Sequence, residues 1–217
     1  MNKWKKAVPN AQQQRELKRD ILYREAASAF RRNGYHGTSL IDVADQLGVS
    51  KATLYNYAAN KQDLFFQCHL AAAQQAIDSV CNDPGLSGLE RLRRSIVSYV
   101  SSIIGPDSLS VVILEERSLS EDQLDEVISK RDEFERGLRN VVAAGIADGT
   151  IVRCDPKFSV FCITGAANWV TKWYRPDGPW TIDEIARATA DLLTSGLGKN
   201  ALSSNGSTAL FGETGLQ

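Results

Sequence analysis

The feature of this sequence that most limits its fold is the recurrence of helix signals along its whole length. Leu22, Ala26, Ala29 and Phe30 fall at i, i+4, i+7 and i+8, which places them on one face of a helix. Similar apolar stripes recur down the chain, and capping residues or glycines separate them. The alternating apolar and polar residues that indicate strands are scarce. The pattern therefore predicts an all-α protein of about nine helices.

The breaks in the pattern predict where these helices lie. Asn60 with Asp63, Ser120 with Gln123, and Thr181 with Glu184 have the spacing of helix-capping pairs. The predicted helices cover about 13–32, 39–47, 51–57, 61–81, 86–104, 108–117, 121–147, 157–174 and 182–196. Ile151 and Val152 could form a short strand, although the sequence offers them no obvious partner.

Composition excludes several classes of protein. A chain of 217 residues with 43% hydrophobic and 24% charged residues can bury a full core without disulfides or a structural metal. No window approaches the roughly 18 uncharged apolar residues of a membrane span, and the N-terminus lacks the apolar segment of a secretory signal. The four cysteines form no C-x-x-C pair. We expect a cytoplasmic protein that has no metal site, no cofactor and no membrane partner.

The net charge of −1 conceals an uneven distribution. Residues 1–62 contain eleven Lys and Arg against five Asp and Glu, whereas the other 155 residues contain 14 against 21. A basic head on an acidic body indicates that the head binds a polyanion. A chance imbalance on a solvated surface is the alternative. Lys3, Lys5 and Lys6 form either a minor-groove arm or a disordered solubilising tail.

Two short predicted helices, 39–47 and 51–57, are separated by Gly48-Val49-Ser50 and follow a longer amphipathic helix. This arrangement is typical of a helix-turn-helix motif, in which the second short helix enters the major groove of DNA. We expect Gly48 to permit the sharp turn and Val49 to pack beneath both helices. The second short helix is too short to be stable alone and too polar to be mainly core.

Residues 16–65 resemble the DNA-binding head of the TetR family of bacterial repressors. The matching segments are Gly34-Tyr35-His36-Gly37-Thr38-Ser39-Leu40-Ile41-Asp42-Val43-Ala44, Gly48-Val49-Ser50-Lys51-Ala52-Thr53-Leu54-Tyr55-Asn56-Tyr57 and Asn60-Lys61-Gln62-Asp63-Leu64. Ala58 departs from the family pattern, which has Phe there. The resemblance implies a DNA-binding domain over 13–62, with its motif at about 38–57, a ligand-binding and dimerisation domain over 63–198, and flexible tails over 1–12 and 199–217.

The resemblance also implies which residues contact DNA. Thr38 or Ser39 would reach a phosphate, and Lys61 would contact another. Asn56 could read adenine, because an amide pairs with it bidentately. The full expected set is Thr38, Ser39, Ser50, Lys51, Thr53, Tyr55, Asn56, Tyr57 and Lys61. Structural roles compete with these contacts, since Ser50 could serve only as a helix cap and Tyr55 could be half packing. Leu54 is expected in the core.

For the body, the resemblance implies a homodimer joined by its last two helices and a pocket for a small-molecule effector. One stripe on the last helix is the expected dimer interface, with intramolecular core as the alternative: Ile182, Ile185, Ala186, Thr189 and Leu193. The expected pocket residues are Phe134, Phe161, Trp169 and Trp173, with Arg94 or Arg136 available for an anionic group. Residues 168–179 are similar to a subgroup of repressors of fatty-acid and steroid catabolism that respond to acyl-coenzyme A thioesters. A smaller aromatic or lipophilic effector is the alternative.

The sequence thus predicts a homodimeric transcriptional regulator, most simply a repressor that an effector releases from a palindromic operator. One alternative is a constitutive DNA-binding protein with no ligand, which a fully packed body would favour. The other is an enzyme on the helical body, against which the sequence shows no nucleophile–base pair, metal-ligand spacing or phosphate loop.

Overall fold

Helices form where the capping signals predict them. The computed structural model describes residues 11–109 and 116–199, and within these ranges the protein is helical. The helices are α1 (Ala11–Asn33), α2 (Leu40–Leu47), α3 (Lys51–Tyr55), α4 (Lys61–Asp78), α5 (Gly88–Ile104), α6 (Glu121–Ala147), α7 (Pro156–Trp173) and α8 (Ile182–Ser195). A 3-10 turn at Glu116–Ser118 precedes α6. The all-α prediction is confirmed, with eight α-helices in the described residues instead of about nine.

The difference in number falls on one predicted helix. Most of the segment 108–117 lies outside the described residues. So do Lys3, Lys5 and Lys6 and nearly all of both expected tails. Ser39, Ser120 and Thr181 each form the reciprocal bonds of a capping box with the residue three positions later. These caps fix the starts of α2, α6 and α8 close to their predicted positions.

The buried residues fall into two clusters, one in the head and one in the body. The head cluster includes Leu22 and Phe30 of α1, and α4 adds Leu64 and Phe65. The body cluster brings together α5, α6, α7 and α8. Helix α4 packs on α1 at the head and on α6 in the body. Five residues, 56–60, separate α3 from α4, so α4 connects the short helices to the body directly.

A small element of extended backbone closes the body. Ile151 forms an isolated antiparallel bridge with Gly198, and the N–H of Val152 donates to the carbonyl of Leu197 (2.9 Å). The partner that the sequence did not reveal is thus the segment that follows α8. None of the described helices combines the length and apolarity that crossing a bilayer requires.

Candidate nucleic-acid interface

The turn between α2 and α3 has the geometry of a helix-turn-helix motif. Gly48 adopts φ +64°, ψ 30°, and its N–H donates to the carbonyls of Ala44 and Asp45. This left-handed conformation is strained for a residue with a side chain, which explains the glycine. The Ser50 hydroxyl then accepts from the N–H of Thr53 (3.2 Å) and begins α3. The chain therefore reverses within three residues, with both helix ends capped.

Helix α3 lies on the head with one buried side chain, Leu54, which is 1% exposed. Val49 does not pack beneath the two helices, because its side chain is 37% exposed. Ala58, where the family pattern has Phe, is buried at 2% and closes the far end of the short helix. The prediction that Leu54 belongs to the core is confirmed, whereas the prediction for Val49 is wrong.

The opposite side of α3 and the turn after it form an exposed polar surface. Lys51, Thr53, Tyr55 and Asn56 are all exposed, and Tyr55 keeps 45% of its accessible area. The Lys51 ammonium lies 5.7 Å from the centre of the Tyr55 ring. A cation, a hydroxyl, a phenol and an amide thus face solvent on one short rigid element. Such groups can bind phosphate oxygens and base edges.

Thr38 is not placed to contact a phosphate, contrary to the prediction. Its side chain is 2% exposed, and its hydroxyl is within hydrogen-bond distance of the carbonyls of Gly34 (2.8 Å) and Ala29 (3.2 Å). The hydroxyl holds the turn after α1, because its one proton is shared between, or donated to one of, these two carbonyls inside the head. Thr38 is therefore a structural residue, and only Ser39 of this expected pair is near the surface.

Several other expected contact residues also form bonds inside the head. The Ser39 hydroxyl accepts from the N–H of Asp42 (3.1 Å), and the Ser50 hydroxyl is bonded to that of Thr53 (2.9 Å). The Lys61 ammonium donates to the carbonyl of Tyr35 (3.0 Å). Tyr57 is partly buried against the head core. These bonds fix the positions of the side chains without covering them completely.

A cluster of rings supports this surface from behind. Phe30 meets Phe65 edge-on with centroids 4.8 Å apart, and Tyr35 lies 5.0 Å from Phe65. The Lys61 ammonium lies 4.4 Å from the Tyr35 ring centre. Aromatic pairs at these distances contribute beyond the area they bury. The start of α4 is therefore fixed to α1, and the position of α3 follows from it.

The four residues expected to line an effector pocket do not come together. Phe134 is buried against Tyr99, with ring centroids 4.8 Å apart. Phe161, Trp169 and Trp173 are 47%, 64% and 43% exposed on the outer face of α7. Arg94 pairs with Glu90 on its own helix (2.9 Å), and Arg136 is exposed. The prediction was wrong because helical spacing groups residues on a face without showing which way that face points.

The prediction of a dimer stripe on α8 also mistook an inward-pointing face for an outward-pointing one. Ile185 and Ala186 are buried inside the protomer, where α8 packs on α5. Ile182, Thr189 and Leu193 are partly buried beside them. The open apolar residue of α8 is instead Leu192, which is 74% exposed. The intramolecular alternative thus fits this stripe, and the sequence interpretation did not include Leu192 among the exposed apolar residues.

Comparison with known proteins identifies both parts of the chain. A model described as "Bacterial regulatory proteins, tetR family" matches residues 22–68. A second, described as "Tetracyclin repressor-like, C-terminal domain", matches residues 85–197, about half of the chain. The two matches divide the protein at α4, as the two buried clusters do.

Individual proteins are similar over most of the chain. The HTH-type transcriptional repressor KstR2 of Mycolicibacterium smegmatis is 23% identical over 88% of this chain and 95% of its own length. The regulator PfmR of Thermus thermophilus is 29% identical, with a TM-score of 0.71 over 80% of this chain and 96% of that one. AibR in complex with isovaleryl coenzyme A and operator DNA is 22% identical, with a TM-score of 0.68 over 81% and 97%.

Proposed function

Because the chain belongs to the TetR family of bacterial regulatory proteins, we propose that it is a homodimeric repressor that an acyl-coenzyme A or a similar lipophilic anion releases from its operator. The exposed polar surface of α3 is the observation that carries this proposal. Leu54 anchors the short helix, while Lys51, Thr53, Tyr55 and Asn56 point away from the core. Such an element fits the major groove.

The proposed contacts divide into two kinds. Lys51, Ser39 and the phenols of Tyr55 and Tyr57 are suited to phosphates, which set affinity and register. Asn56, with Thr53 and Ser50 beside it, is suited to base edges. Lys61 can bind a phosphate while it retains its bond to Tyr35, because an ammonium has three donors. The proposed DNA-binding domain remains 13–62, with the ligand-binding and dimerisation domain over 63–198.

The exposed face of α7 supports the proposed dimer. Phe158, Phe161, Trp169 and Trp173 lie on one stripe of this helix and are all more than 40% exposed. Leu192 of α8 is exposed as well, and the Trp173 and Trp180 rings are in contact edge-on at 6.3 Å. Large apolar patches on soluble proteins mark interfaces. Pairing through α7 and α8 would present two copies of α3 to successive major grooves, about 34–36 Å apart.

The proposed effector class is supported by the relatives. AibR has been crystallised with isovaleryl coenzyme A and operator DNA, and its fold is similar to this one. KstR2 is a repressor and spans nearly the same length. Release requires that the effector bind the DNA-incompetent state more tightly, since equal affinity for both states would shift nothing. The named relatives are transcriptional regulators, and none of them supports the enzyme alternative.

Selection of duplexes from a random pool, followed by salt titration, tests the DNA-binding part. We expect a near-palindromic consensus and an affinity that falls steeply with salt, because phosphate contacts release counterions. Lys51→Ala should weaken binding to every duplex and reduce the salt slope by about one. Lys130→Ala in α6 removes the same charge far from α3 and should change neither quantity. A flat salt slope in the unaltered protein would contradict the groove model.

A further inference from the structure

A cleft of about 630 Å³ opens where the head meets the body. Its volume falls within the range of about 300–1,000 Å³ that is usual for small-molecule sites. The end of α5, the end of α7 and the start of α8 form its walls, and α1 contributes Arg31. The cleft is distinct from the four aromatic residues expected from the sequence, none of which lines it.

The lining combines an apolar wall with positive charge. Ile103, Ile104 and Ile182 form the apolar part, and Tyr174 and Pro176 extend it. Among the described residues of the lining, the charged ones are Lys172 and Arg31. One cation comes from the basic head and one from the body, in which residues beyond 62 contain 21 acidic side chains against 14 basic ones. A wall of this kind favours a ligand with an apolar chain and a negative group.

One wall of the cleft also holds the head in place. Arg31 Nη1 donates to the carbonyl of Ser108 (2.8 Å), and Arg24 of α1 pairs with Asp107 (2.7 Å). The N–H of Leu109 donates to Gln75 of α4 (3.4 Å). Residues 105–109 therefore contact both α1 and α4, which carry the head. A ligand that displaces this segment would change how the head is held.

We propose that this junction cleft is the effector site, and that it binds an acyl chain with an anionic head group held by Lys172 and Arg31. The ligand's anion draws the Arg31 guanidinium into the cleft and away from the Ser108 carbonyl, and so loosens the contact between α1 and the body. The inference rests on the proposed function, because operator release is its biological readout. A free fatty acid and an acyl-coenzyme A share this chemistry.

Calorimetric titration of the full-length protein without DNA tests the site directly. The probes are dodecanoate, dodecanoyl-coenzyme A, coenzyme A and dodecanol. We expect tight binding only where an acyl chain and a negative charge occur together. Dodecanoate and the thioester separate the two sources of the anion, and the better binder identifies which one the cleft takes. Equal binding of dodecanol would overturn the proposed role of the cations.

Variants then locate the site. Lys172→Ala should weaken binding of the better probe by about tenfold or more, because a charge-assisted bond is lost, and Lys172→Arg should restore it. Ile182→Trp should block the cleft. Lys157→Ala removes the same charge from the opposite end of α7 and should leave the affinity unchanged. The variants that bind the probe more weakly should also need a higher probe concentration to release operator DNA.

The outcomes separate this inference from the proposed function. If the probe binds and releases operator equally well in Lys172→Ala and Ile182→Trp, the site lies elsewhere and the ligand-responsive repressor stands. If no probe binds the unaltered protein while operator binding persists, both the cleft and the proposed effector class are rejected. Circular dichroism identifies any variant that fails to fold. If Ile182→Trp does not fold, Lys172→Ala against Lys157→Ala decides the question, because the inference expects weaker binding only in Lys172→Ala.

Discussion

At the start of α2, two adjacent hydroxyl residues have different roles. Thr38 is buried, and its hydroxyl is within hydrogen-bond distance of the carbonyls of Ala29 in α1 and Gly34 after it. Ser39 caps α2 at the surface. Both residue types suit a helix start, so the sequence left their roles open. Burial decides between them, because a hydroxyl enclosed by protein cannot reach a phosphate.

Thr38→Val keeps the shape of the side chain and removes its hydroxyl. We expect the free energy of unfolding to fall by about 1–2 kcal/mol, since the buried hydrogen bond of the hydroxyl is lost. Thr53→Val, on the exposed side of α3, should change stability by less than about 0.5 kcal/mol. Urea denaturation without DNA measures both values. Equal losses in the two variants would show that Thr38 is not enclosed.

Asn56→Ala tests base recognition at a single residue. We expect about 1–3 kcal/mol less discrimination at one base pair of each half-site, with little change in non-specific binding. The measurement is competition between the selected operator and duplexes altered one position at a time. Asn140→Ala, on an exposed part of α6, is the matched control. A uniform loss over all duplexes would assign Asn56 to the phosphate backbone instead.

In α7 and α8, the orientation of the helix decides which apolar residues are buried and which are exposed. α8 has apolar residues on two faces, one packed on α5 and one open at Leu192. Arg93 of α5 pairs with Asp191 (2.6 Å), a partly exposed contact of modest strength that is consistent with this orientation. α7 is similar, with Val160 and Ile163 inward and its aromatic residues outward. The outward faces are the ones available to a second protomer.

A pair of substitutions in α8 separates interface from core. Leu192→Glu should raise the dimer dissociation constant by at least about tenfold, because it places a charge in an apolar contact. It should leave the fold of each protomer intact. Ile185→Ala should instead lower the free energy of unfolding by about 2–4 kcal/mol through a cavity in the body. Sedimentation and urea denaturation measure the two effects, and an unaltered dimer in Leu192→Glu would exclude this face.

Across the whole molecule, two buried clusters meet along α4, and charge is divided in the same way. The body core contains a polar pair, in which the Tyr99 hydroxyl donates to Asn168 Oδ1 (2.6 Å). Burial raises the pKa of Tyr99 to about 12, against a weaker lowering by Arg131 and by the bond to Asn168. Tyr99 thus makes the stability of the whole body sensitive to alkaline pH.

The raised pKa predicts the direction of that dependence. The unfolded chain ionises Tyr99 near pH 10, whereas the folded protein keeps it neutral, so its contribution is complete below about pH 10. We expect about 2–3 kcal/mol of the free energy of unfolding to be lost as the pH rises from about 10 to about 12. Tyr99→Phe keeps the ring against Phe134 and should remove this part of the loss. An unchanged alkaline profile in that variant would contradict the assignment.

The helices, their caps and the helix-turn-helix motif could be predicted from the sequence, because they depend on interactions between residues a few positions apart. Leu22, Ala26 and Phe30 lie buried on one face as the spacing predicts, and Gly48, expected to permit the sharp turn, adopts the left-handed conformation. The exposure of Lys51, Thr53, Tyr55 and Asn56 was predictable for the same reason. A helix of five residues with one apolar anchor has only one way to lie on the head.

Which faces of α7 and α8 are enclosed depends on how the helices pack, and could not be predicted from the sequence. Both helices have apolar residues around much of their circumference, and periodicity cannot choose between two apolar faces. Packing against α5 buried Ile185 and left Leu192 open. The junction cleft was likewise invisible in the sequence, because Arg31 and Lys172 are 141 positions apart and are brought to one cavity only by the fold.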